Sequence, residues 1–311
     1  MKVFSPREGS IQNIAYISIM ASIDVVFALL AAFFPFGAIF LMLFLPIPSV
    51  IAAYYSQNRY IPIYLLGAIG LSFIATIWDF QATLFYAVPA ISSGTLYGFL
   101  KKKRFSVGET IFLTGLLNMG LAYLSIFLIK SIYSIDMIAF LLSLIGLQDN
   151  SLVSMIVPAA VLTYGLIQET IANIIIQAIT EKIPDTQSGS DGIHDLIYAL
   201  SGVIFGLLGL GLSFVAVEVS YCLLLSLLFF FPFSLYALIK KGRKWIYAPL
   251  ILLFIAGMSF FYIFYASVPK GYGLLLLGCP LLLMDIFISI YRAILLKNEP
   301  ASTINVEGAK K

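Results

Sequence analysis

Residues 88–104 read VPAISSGTLYGFLKKKR, an apolar run that ends in four consecutive cations, Lys101 to Arg104. Such a border is the signature of a membrane helix meeting the cytoplasm, where short loops rich in Lys and Arg are retained. A second basic turn, Lys240-Lys241-Gly242-Arg243-Lys244, repeats it. Around these two markers lie ten apolar segments, at 14–34, 37–56, 61–79, 82–100, 108–130, 153–180, 194–216, 219–239, 245–266 and 272–296. Crossing a hydrocarbon core of ~30 Å takes roughly 20 helical residues, and each segment meets or approaches that length. Threaded from the inside, the ten leave only Lys130 and Lys270, of 18 Lys and Arg, in outer turns. Moving the count by one span would expose a basic cluster on the outside. The expectation is an all-α polytopic integral membrane protein with about ten transmembrane helices. It would sit in the plasma membrane with both termini cytoplasmic.

Composition leads the same way. Apolar residues make up 61% of the chain and charged residues 11%, against about 25% charged in globular proteins. Lipid is therefore the expected solvent and the first partner. The net charge of +3 resides in interhelical turns, where it sets topology and touches anionic headgroups; it is no nucleic-acid signal. Cys222 and Cys279 lie in apolar runs and read as buried reduced thiols, with a disulfide between them left open. The first run exceeds the ~7–15 residues of a signal-peptide core and reads as a retained span.

Two stretches interrupt the pattern. Residues 135–147 are apolar but too short to cross, so they suit an interfacial helix or a lid. Residues 181–195 are the most polar internal stretch, with Pro184, Gly189 and Gly192. These divide the chain into a six-span bundle (1–182), a polar cytoplasmic linker (183–194), a four-span extension (195–297) and a polar cytoplasmic tail (298–311).

Ionisable groups inside lipid cost ~2.5–3.5 kcal/mol at mid-helix on insertion scales, so each calls for a reason. Asp24, Glu169 and Asp285 fall near the middles of the first, sixth and tenth segments. Each is either a functional group or the buried partner of hydroxyls and amides on neighbouring helices. Asp79 beside Trp78 at the outer end of the third segment, and Glu218 in an outer turn, can reach water and read first as interfacial or capping residues. The sixth segment is the most polar. Glu169, Asn173 and Gln177 recur at a spacing of four, which stacks them on one face, and Gln168 adjoins them. Asn118 and Tyr123 on the fifth segment can face that stripe. It suits a hydrogen-bonding solute, a cation or a proton path, or equally a satisfied helix contact. Trp78, Asp79, Asn118, Tyr123, Gln168, Glu169 and Asn173 are thus the candidate substrate-binding residues. Gly94-x-x-x-Gly98 and Gly202-x-x-x-Gly206 place small residues on single helical faces, expected to serve packing within the chain.

Enzyme signatures are missing. His194 is the sole histidine, and no metalloprotease, nucleophile-elbow, phosphate-loop or paired-cysteine motif occurs. Ser92-Ser93-Gly94 has no base beside it. No catalytic activity, cofactor or metal is expected, and active transport would need a partner or an ion gradient.

The first 182 residues resemble the substrate-binding S-components of energy-coupling factor vitamin transporters. The features are the six-span block, the first-segment small residues Ser18-x-x-x-Ser22 and Ala28-x-x-x-Ala32, the fourth-segment ending GTLYGFLKKKR and the amide-bearing fifth segment TGLLNMGLAYL. In length and layout the whole chain resembles the YybS-like family of uncharacterised bacterial membrane proteins. This resemblance implies that Ser18, Ser22, Ala28 and Ala32 contact a transmembrane coupling subunit, that a solute binds near the outer ends of spans four to six, and that two cytoplasmic ATPases supply energy. S-components usually stop after six spans and commonly carry Ala-x-x-x-Ala on the first. The competing reading is a non-catalytic membrane scaffold or assembly partner for envelope enzymes.

Overall fold

The computed structural model describes residues 8–34, 41, 43–139, 151–179, 191–213, 215–240, 247–265, 276 and 278–298. Its elements are helical, with no strand among the described residues. The chain forms two compact units, Met1–Asp149 with Ala160–Thr186, and Asn150–Ala159 with Gln187–Lys311.

The first unit begins with α1 (Ser10–Phe33), α2 (Pro46–Tyr55) and α3 (Ile61–Ala75). Prolines at the first turns of α2 and α3 sit where an N–H has no helical partner anyway. The α3–α4 connection is unusual. A 3-10 turn (Ile77–Asp79) and one α turn (Phe80–Ala82) lead into a π-helical turn, Thr83–Ala87, directly before α4 (Val88–Lys102). Pro89 explains the widened turn, since it donates no hydrogen bond and its ring crowds the carbonyl four residues earlier. A hydroxyl from the next helix meets the loosened backbone, with Ser125 Oγ donating to Leu84 O at 2.5 Å.

Arg104, at φ 64°, turns the chain into α5 (Val107–Tyr133). A reciprocal cap starts that helix: Glu109 N–H donates to Ser106 Oγ at 3.4 Å and Ser106 N–H to Glu109 Oε2 at 3.2 Å. It stops at Ser134 in the left-handed region. The main core of this unit joins Tyr16, Met20 and Ala28 of α1, Ile51 and Tyr55 of α2, Tyr64 and Ala68 of α3 and Ile91 of α4. α2 and α4 touch backbone to backbone, because a Cβ at Gly94 or Gly98 would collide with the carbonyl oxygen of Pro46 or Val50. α6 (Ser151–Ile179) meets α5 in the same way, with a Cβ on Gly165 falling 3.1 Å from Gly115 O.

The second unit contains α7 (Asp191–Leu212), α8 (Val217–Lys240), α9 (Tyr247–Tyr265) and α10 (Gly278–Asn298). Ala199, Leu238, Leu250 and Ile288 form a core across all four. Gly206 fits against Leu227 and Leu282, and the Phe205 and Phe230 rings stack at 5.8 Å. Cys222 and Cys279 are free thiols.

Among the described residues, five helices are long and apolar enough to cross a membrane: Ser10–Phe33, Asn58–Ala75, Val107–Tyr133, Ile156–Ala178 and Val217–Tyr236. Leu196–Leu212 and Ala248–Phe264 are shorter apolar helices. Leu66 at 75% and Ile74 at 71% exposure show outward faces that water would not tolerate over a whole bundle. These features mark a membrane protein. Of the expected segment 37–56, α2 covers Pro46–Tyr55, and residues 37–40 and 42 lie outside the described residues. Of the stretch 135–147, only 135–139 are described, and the polar seam is described only from 191, where α7 begins. The tail beyond residue 298 lies outside the described residues.

Candidate functional site

α4, α5 and α6 each bring polar side chains to one buried place. From α6 come Gln168 (1% exposed), Glu169 (0%) and Asn173 (7%), with Asn118 from α5 and Ser93 and Tyr97 from α4. The helical period makes this inevitable for Glu169 and Asn173, four residues apart. The Gly115–Gly165 approach then draws α5 close enough for a cross-helix amide pair. Asn118 Nδ2 donates to Gln168 Oε1 at 2.7 Å and lies 3.5 Å from Ser93 Oγ. Tyr97 donates its hydroxyl to Asn173 Oδ1, and Gln177 Nε2 reaches the same oxygen at 3.4 Å.

Glu169 is different. Ser93, Thr114 and Asn118 face its carboxylate, yet neither oxygen has a hydrogen-bond partner. The reason lies in where the neighbouring protons go. Ser93 Oγ donates to Ala90 O at 3.2 Å, and Thr114 Oγ1 donates to Thr110 O at 2.8 Å. A hydroxyl carries one proton, so each can serve either its own helix or the carboxylate, and both lie at bonding geometry to the helix.

Asp24 has the opposite surroundings. Tyr64 of α3 donates to Asp24, and Ser49 Oγ of α2 lies 3.4 and 3.3 Å from its two oxygens and 2.8 Å from the tyrosine hydroxyl. Asp285, in the second unit, is intermediate. Ser234 Oγ donates to Oδ1 at 2.6 Å, while Oδ2 has no hydrogen bond and packs on Gly202, where any Cβ would overlap it.

The remaining candidates fall elsewhere. Trp78 is 58% exposed, with its ring 5.4 Å from that of Phe33. Asp79 caps the following turn, accepting from Ala82 N–H at 3.2 Å, and lies near Tyr86, which in turn neighbours Tyr164. Tyr123 is half-buried farther along α5. On α1, Ser18 and Ser22 are exposed, whereas Ala28 is buried in the core and Ala32 half-buried.

Sequence reasoning missed Ser49, Tyr64, Tyr97, Thr114 and Ser234, because a lone hydroxyl in an apolar helix carries no positional signal. It also passed over Arg292, whose side chain is buried at 1% exposure. Here a signal did exist: Asp285, Ser289 and Arg292, spaced by four and three, share one face of α10.

No family model, curated protein or solved structure matches the chain. The class rests on the molecule itself, an all-helical protein of membrane type whose long apolar helices hold polar groups inward.

Proposed function

We propose that the chain binds a small polar solute within α4–α6 and moves it across the plasma membrane, in the manner of an energy-coupling-factor S-component. The observation that carries this reading is the buried cluster of Asn118, Gln168, Glu169 and Asn173 with Ser93 and Tyr97, since intramembrane polar groups are retained for pathways and binding sites. In this reading the chain crosses ten times with both ends cytoplasmic, one helix for each apolar segment, and its first six spans form the binding block. Its layout is that of YybS-like proteins, and transport requires a coupling subunit and two cytoplasmic ATPases. Tyr86 and Tyr164 extend the chain of polar groups from Asp79 toward Gln168, four residues past Tyr164, which suits an entry from the outer end.

Thermal-shift measurements on purified protein with vitamins, nucleobases and metal ions test the reading. A stabilising ligand whose effect is lost in Asn118→Ala supports it. Folded protein that responds to no member of the panel overturns it. Topology is tested by labelling single cysteines at Lys102 and Lys270 from each side of the membrane, in a protein lacking Cys222 and Cys279. Labelling of position 102 from outside overturns the orientation.

A further inference from the structure

We propose that Glu169, with the lone pairs of Ser93 and Thr114, forms a site for a small monovalent cation, either a proton or a sodium ion. Its environment offers oxygen ligands and no neighbouring positive charge. Both carboxylate oxygens lack a partner at hydrogen-bond geometry although the residue is fully buried. The nearest hydroxyls bond Ala90 O and Thr110 O, and one of the two Asn118 amide protons bonds Gln168. A fully buried carboxylate with incomplete hydrogen bonding is strongly destabilised unless a positive charge accompanies it. The missing component is a cation.

The donor set fixes its kind. Among the described residues no three His, Cys, Asp or Glu side chains come together, so a transition metal has no ligand set. One carboxylate and two hydroxyls balance a single positive charge. Neighbouring ionisable groups do not supply it: α4 carries Tyr97 and Lys101, α5 carries Glu109 and Tyr123, and α6 carries Tyr164, and none of these is among the groups facing the carboxylate. A route outward exists. Asn173 lies one turn from Glu169 and bonds Tyr97 and Gln177, and Gln177 is exposed. The proposal rests on the Glu169 geometry and not on the identity of any solute.

The test uses full-length protein in vesicles of phosphatidylethanolamine and phosphatidylglycerol. In the sodium arm, thermal stability is measured in sodium chloride against choline chloride. A bound sodium ion gives stabilisation that is lost in Glu169→Gln. In the proton arm, infrared spectra are recorded in H2O and D2O. A bound proton gives a carboxylic-acid carbonyl band that shifts in D2O and disappears in Glu169→Gln. Should that variant fail to fold, carboxyl-13C glutamate in the wild-type protein moves the band if a glutamic acid carries it, and Glu169 is the one buried glutamate among the described residues. An aspartic acid leaves the band in place. The proposal is overturned if folded protein shows neither sodium-specific stabilisation nor a glutamic-acid band. A solute that binds while both arms are silent leaves the solute reading standing and removes this one.

Discussion

Asp24 and Glu169 are both fully buried carboxyls in one helical unit, yet their neighbours treat them in opposite ways. Tyr64 and Ser49, from two further helices, turn toward Asp24 and make it the knot that ties α1, α2 and α3 together. Around Glu169 the hydroxyls of Ser93 and Thr114 bond carbonyls of their own helices, and neither carboxylate oxygen has a partner at hydrogen-bond geometry. Chemically similar groups therefore serve different ends: a carboxyl with its hydrogen bonds complete braces the bundle, and one left incomplete is reserved for something that arrives. Asp285, with one oxygen bonded and the other against Gly202, falls between them.

That contrast is open to breaking. Tyr64→Phe strips Asp24 of its strongest donor and should destabilise the protein by about 2 kcal/mol, read as a lowered midpoint in a steric-trap or detergent titration; an unchanged midpoint would remove the bracing role. Ser234→Ala, taking the one donor from Asp285, should cost about 1 kcal/mol, in keeping with hydrogen bonds inside membranes. Glu169→Gln breaks no hydrogen bond at bonding geometry and should cost less than Tyr64→Phe while abolishing the cation response, and a loss as large as that of Tyr64→Phe would make Glu169 a second brace.

The smallest effect lies at the C-terminal end of α5. Lys130 Nζ donates to Asp136 at 2.8 Å and, with the Ala139 N–H, holds this carboxyl below its usual range. A depressed value in the folded state means the tie adds stability above the ordinary aspartate range of about pH 4. That stability fades as pH falls through the lower folded value. Both side chains are exposed, so the effect should stay under about 1 kcal/mol. Hydrogen exchange at 134–139 should rise on acidification in the wild type and be insensitive to it in Lys130→Met.

The arrangement of Glu169, Asn173 and Gln177 was legible because a spacing of four is the helical period itself. The meeting of Asn118 with Gln168 was legible only as a possibility, since it depends on how closely Gly115 and Gly165 let two backbones approach. Nothing in the spacing of Ser49 or Tyr64 points to Asp24, 25 and 40 residues away. Hydropathy counts the apolar residues of segment 82–100 and is blind to Pro89 widening the winding at Thr83–Ala87 within it. The exposed Ser18 and Ser22 and the buried Ala28 show the same limit: two pairs of small residues ten positions apart do not share a helical face.

The π-helical turn at Thr83–Ala87 acts as a phase shifter for everything downstream. Its extra residue sets the rotation at which α4 presents Ser93 and Tyr97 to one neighbour and the glycines at 94 and 98 to another. Winding the same residues as a regular α-helix would swing the rest of α4 by about 100°. The polar groups and the bare glycine backbone would lose their partners together, so this one irregular turn keeps assembly and the buried polar cluster in step.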